Sequence, residues 1–150
     1  MIAWITKINW GKTLVVGLIY MVVATLVRQI EAILTMKYYL DPQYFGVWSK
    51  LMMPQAGPPP ISFFMTSAIM TLGTGISLVI VYYYMRAILP AKRKERIFYF
   101  ADLMIGFNFI FFLLPTYLLF NVPVGLLVSW FVSSFIILLT ASYTMVKVIK

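Results

Sequence analysis

DPQYFGVWSKLMMPQAGPPP, residues 41–60, is a connecting segment crowded with aromatic, Met and Leu side chains. A connection bathed in water is ordinarily polar, because exposed apolar side chains gain nothing there and invite association. This one makes physical sense beside a bilayer, and the rest of the chain says why. Of 150 residues 63% are hydrophobic and 11% charged, and the mean hydropathy is +0.95. Soluble domains use about 45–50% apolar and about 25% charged residues. A soluble fold of this length could not hide that surface, so the expected fold is an all-α integral membrane protein, one domain of spans. Lys7 and Lys12 precede an apolar run too long for a signal peptide and without a small-residue cleavage site, so the first span is expected to be retained.

The chain has no Cys and no His. Disulfides, thiol nucleophiles, the usual zinc sites and His-ligated haem are thereby excluded, and no cofactor or metal is expected. The net charge of +8 is read as a topology signal and an attraction to anionic headgroups, not as a nucleic-acid footprint.

About 20 apolar residues cross a hydrocarbon core of about 30 Å as a helix. Four segments qualify: 13–34, 61–89, 98–120 and 123–148. They do not alternate as barrel strands would. Lys7 and Lys12 lie before the first span, Arg86, Lys92, Arg93, Lys94 and Arg96 between the second and third, and Lys147 and Lys150 at the end. The opposite side carries Lys37 and Lys50, partly balanced by Asp41. Both termini are therefore expected to be cytoplasmic, in a prokaryotic cell membrane. FNVPVG forces spans three and four to be antiparallel neighbours, and Pro90 ends span two. No internal repeat is present at this resolution, so any two-fold symmetry would come from a second copy.

Within residues 41–60, Asp41 followed by Pro42 has the form of a helix N-cap and first turn. Tyr44, Phe45, Trp48, Leu51 and Met52 fall at i, i+1, i+4, i+7 and i+8, on one helical face. Pro54 stops the run, and Gly57-Pro58-Pro59-Pro60 forms a stiff extended lead-in to span two. The pattern predicts a short amphipathic helix over 42–53, lying in the outer interface. Its apolar face either anchors there or caps a cavity between the four helices.

Trp48, Lys50, Pro54, Pro58 and Pro59 resemble the segment before the second span of the TspO family of tryptophan-rich sensory proteins. The resemblance implies a lidded apolar cavity. It stops at the prolines: that family has five spans with Trp-rich later helices, whereas this chain shows four and only Trp130 beyond the loop. Size and basicity are also similar to the four-helix glutathione-using membrane enzymes. Their Arg- and Asn-bearing motif on span two is missing here, where Arg86 stands at the very end. Neither family is assigned.

An ionisable group at mid-membrane costs about 2.5–3.5 kcal/mol on insertion scales, which makes each one a functional candidate. Arg28 and Glu31 are spaced i, i+3 on span one, and Thr25, Arg28, Gln29 and Ala32 make a polar-to-small stripe expected to face protein. Residues 8–27 already supply a full apolar run. The pair is thus either interfacial, with the side chains snorkelling, or buried at a cavity wall. Asp102 is expected to bridge to Arg86, Arg96 or the Lys run and fasten spans two and three. Asn108, on another face, is expected to bond a neighbouring helix or a ligand.

Ser67, Thr71 and Gly75, with Gly73, mark span two as the central helix; Ser129, Ser133, Thr140 and Thr144 form a small stripe on span four. Pro115 should kink span three. Phe107, Phe109, Phe111 and Phe112 around it read as lipid-facing or core. The candidate ligand-binding residues are Arg28, Gln29, Glu31, Tyr44, Phe45, Trp48 and Asn108. The expected function is binding or transport of a small hydrophobic or amphipathic ligand. The alternative is a non-catalytic subunit or scaffold that packs on a partner membrane protein or on a second copy, with membrane lipids as partners either way. Catalysis is not expected, because no paired carboxylates or nucleophile–base constellation are present.

Overall fold

The computed structural model describes residues 8–55 and 58–149; Lys7, Gly57 and Lys150, which entered the charge and turn readings, lie outside the described residues. The described residues contain helices and no strands. In chain order they form α1 (Trp10–Leu34), α2 (Met36–Tyr39), a 3₁₀ turn (Pro42–Val47), α3 (Ile61–Met85), α4 (Arg93–Asn108), a π turn (Phe109–Leu113), α5 (Leu114–Leu119) and α6 (Val124–Val148). The stretches Trp10–Leu34, Ile61–Met85, Arg93–Leu119 and Val124–Val148 are each long and apolar enough to cross a membrane.

The helix starts follow from local chemistry. Asn9 caps α1, its side-chain oxygen accepting from the Lys12 N–H at 3.0 Å. Glu95 sits in the first turn of α4, where the orphan N–H groups favour a negative charge. Its 3.2 Å pair with Lys92 is solvent-exposed and contributes little. Arg96 Nε donates to the Pro90 carbonyl at 2.9 Å, which ties the basic turn to the start of α4.

The helices pack in the spatial order α3, α1, α6, α4. The central pair is therefore α1 and α6, not span two as the small-residue stripe suggested. α6 buries residues along its whole length, from Leu126 to Val146, whereas α3 buries only Gly75, Val79 and Tyr82, all in its second half. Gly75 is the hinge of that difference. A Cβ there would lie 2.9 Å from Tyr20 Cδ1 and 3.1 Å from the Gly17 Cα, so the two glycines let the α1 and α3 backbones touch.

On one side of this contact, toward the basic turn, the bundle is closed. Val16, Val79, Tyr82, Phe100, Met104, Ala141 and Met145 form its core. Tyr82 and Phe100 meet edge to face at 5.2 Å, and Ser142 Oγ donates to the Ile97 carbonyl at 2.6 Å. The ring contact joins α3 to α4, the two helices that Asp102 was expected to bridge, and the hydrogen bond joins α6 to α4. Asp102 is exposed and makes no ion pair among the described residues.

Pro115 disturbs span three differently from a simple kink. The Leu114 N–H bonds back to the Phe109 carbonyl, a five-residue step, and Pro115 then occupies the first turn of α5, where its missing N–H costs nothing. The extra residue re-aims the following side chains.

Candidate functional site

On the other side of the Gly17–Gly75 contact the helices part around a cavity of about 680 Å³. α1 supplies Thr25, Arg28, Gln29, Glu31 and Ala32 to its wall, and α3 supplies Phe63, Phe64, Ser67, Ala68 and Thr71. Ser67 and Thr71, expected to bring helices together, thus leave room instead.

Glu31 is only 7% exposed. Ser129 Oγ lies 2.6 Å from Glu31 Oε1 and 2.8 Å from the Leu126 carbonyl, while Thr35 Oγ1 lies 2.8 Å from the same Oε1 and 2.7 Å from the Glu31 carbonyl. Each hydroxyl has one proton, so each serves the carboxylate or a main-chain oxygen at any moment. Arg28 is exposed, and no ion pair joins it to Glu31. The two residues of the expected pair therefore do not pair: one is buried against α6, the other is exposed on the cavity wall.

The roof differs from the expected amphipathic helix over 42–53. Asp41 does cap, its carboxylate accepting from the Gln43 N–H at 3.0 Å. The turn that follows is 3₁₀ and ends at Val47; Trp48 is extended at φ −78°, ψ 140°. A stretch bounded by Pro42 and Pro54 with Gly46 inside is too short and too poor in helix formers to hold an α-helix by itself. Side-chain packing decides instead. Trp48 turns in to stack on Tyr39 at 4.8 Å and to meet Trp130 edge-on at 6.5 Å. Trp130 Nε1 donates to the Tyr39 hydroxyl at 3.0 Å, and Phe112, presented by the π turn, lies 5.9 Å from the Trp130 ring.

Burial pushes the Tyr39 phenol up to about 12; the Trp130 N–H opposes the rise and the Glu31 charge adds to it. Tyr38, next in line, places its hydroxyl where a Cβ on residue 125 would sit, so Gly125 leaves room for that side-chain end at the start of α6.

Of the seven candidates, Arg28, Gln29, Glu31 and Trp48 line the cavity. Tyr44 and Phe45 are not among its lining residues, because the 3₁₀ turn directs them elsewhere. Asn108 sits at the junction with the π turn, its Oδ1 buried without a hydrogen-bond partner, and it does not line the cavity either. Sequence reasoning missed Tyr39, Phe112, Ser129 and Trp130. The signal for Trp130 was available: a lone Trp on an apolar helix needs an acceptor for its N–H. No protein-family model, curated protein or solved structure matches this chain.

Proposed function

We propose that the chain is an integral membrane protein, with the basic turn and both termini cytoplasmic, whose outer half binds or transports a small hydrophobic or amphipathic ligand. The observation that carries this reading is the cavity of about 680 Å³, apolar over most of its wall and supplied with a few polar groups from α1 and α2. That size and mixture are typical of small-molecule sites between bundle helices. The large exposed side chains on the outward faces of the helices, Leu26, Ile30, Ile69 and Val128 among them, support a lipid setting.

Photolabelling in lipid nanodiscs with a small neutral diazirine tests it. The expected result is saturable labelling of Met52, Met53 and Phe63, lost when Ala68→Trp fills the cavity from α3. Labelling that never saturates, and that falls on Ile69 as readily as on Met53, would sink the reading.

A second reading, a subunit packing on another membrane protein, draws on α3. Its Gly73 has open space where a Cβ would stand, between exposed Met70 and Ser77. Cross-linking from Ser77→Cys, unambiguous in a cysteine-free chain, would trap such a neighbour.

A further inference from the structure

We infer that the ligand of this cavity is a lipophilic organic cation, seated against the Glu31 carboxylate inside a box of four aromatic rings; the inference rests on the binding reading above and adds the sign of the charge. A carboxylate taken out of water costs several kcal/mol unless an opposite charge accompanies it. Glu31 is buried, two neutral hydroxyls reach its Oε1, and no Lys or Arg reaches it within ion-pair distance among the described residues. The hydroxyls offset part of the cost. They bring no opposite charge, and Arg28, one turn away on the same wall, makes no ion pair with Glu31.

The walls beside it have the matching character. Tyr39, Trp48, Trp130 and Phe112 all line the cavity and form one connected cluster, with ring centroids 4.8 Å apart for Tyr39–Trp48, 6.5 Å for Trp48–Trp130 and 5.9 Å for Trp130–Phe112. Aromatic faces carry negative potential and attract cations, more strongly where water is excluded. The remaining wall, from Phe63, Phe64, Ala68, Met52 and Met53, suits an apolar body attached to that charge. An anion would meet repulsion from both the carboxylate and the ring faces; a neutral hydrophobe would leave Glu31 unpaired.

Arg28 is the one cation on the same wall. It is exposed on the cavity wall and makes no ion pair with Glu31, so it acts on an incoming cation as a repulsive rim. That assigns opposite signs to two residues one helical turn apart.

Tetraphenylphosphonium and tetraphenylborate, nearly identical in shape and opposite in charge, separate these terms on the full chain in nanodiscs. The phosphonium should bind about tenfold or more tightly than the borate, and Glu31→Gln, which keeps size and hydrogen bonding, should lose about tenfold of that affinity. Arg28→Gln should tighten phosphonium binding a few-fold. Equal or tighter borate binding overturns the inference, as does full affinity in Glu31→Gln. Should Glu31→Gln fail to fold, the Arg28→Gln sign decides: weaker phosphonium binding overturns the assignment. If the neutral probe labels the cavity saturably but neither ion competes, the binding reading stands and the cation falls. If no probe labels it saturably, both fall.

Discussion

The two halves of this bundle are built from the same four helices and do opposite things. Toward the basic turn, Val16, Val79, Tyr82 and Met145 reach full burial. On the N-terminal side of Gly75, α3 buries nothing, and the space between it and α1 becomes the cavity. Hydrophobicity does not distinguish the halves, since both are apolar. Backbone approach does. Gly17 and Gly75 bring the backbones together at one level, while at the other Phe63, Phe64 and Trp48 stand around a space. In lipid, where apolar side chains gain little by leaving the hydrocarbon, contact between helices depends on such close packing.

The sharpest test of that division compares two methionines. Met145, fully buried in the closed half, should cost about 2–5 kcal/mol when cut to Ala, because the cavity left behind cannot collapse among packed neighbours. Met53 is also buried, yet it faces a space that already exists. Met53→Ala should cost about 1 kcal/mol or less and alter ligand binding instead. Thermal unfolding of both variants in detergent reads the contrast directly. Equal losses would mean that the open half is packed as tightly as the closed one.

Next in size is the hinge between the halves. Gly75→Val places its branched side chain against Tyr20 and the Gly17 backbone, and backbone cannot swing aside as a side-chain tip can. A loss of about 1–3 kcal/mol is expected from such overpacking. Gly73→Val, two residues away and facing open space, is the control and should change stability by only a few tenths. If the two behave alike, the close approach of α1 and α3 is not what holds the closed half shut.

These sites also mark how far the sequence could be read. The four apolar helices follow from run length and composition alone, because a 20-residue apolar stretch has few other structures open to it in a chain this hydrophobic. Gly75 was visible as part of a small stripe. Its partner Gly17 was not, since which face of one helix meets which face of another is a property of tertiary packing. The same limit applies to the site. Glu31 stood out as a costly charge, but Ser129, 98 residues away, was read as a packing residue and only the fold makes it a hydrogen-bond donor to the carboxylate. The roof misled for a different reason: helical spacing in residues 42–53 was real, but the stacking of Trp48 on Tyr39 outweighed a helix too short to persist.

The smallest expected effect is a pH dependence confined to the open half. Tyr39 lies outside the candidate span of α1, and burial raises its phenol to about 12 against an ordinary value of about 10. A raised value means that the folded protein keeps this proton while the unfolded chain releases it. The contribution to stability is therefore whole below about pH 10 and is lost progressively as the pH climbs toward about 12. Because Tyr39 is only half-buried, the loss is muted by solvent. Tyr39→Phe should flatten the decline in that window and, near neutral pH, cost about 1 kcal/mol through the acceptor that Trp130 Nε1 loses. Phenolate absorbance, taken as the difference between the two proteins, should show the missing ionisation high in the window. A cation seated beside Glu31 would favour the phenolate and draw that ionisation to lower pH. Saturating tetraphenylphosphonium should therefore move the Tyr39 ionisation downward while tyrosines of the closed half stay where they are; a shift in the opposite direction would mean that whatever occupies the cavity is not positively charged.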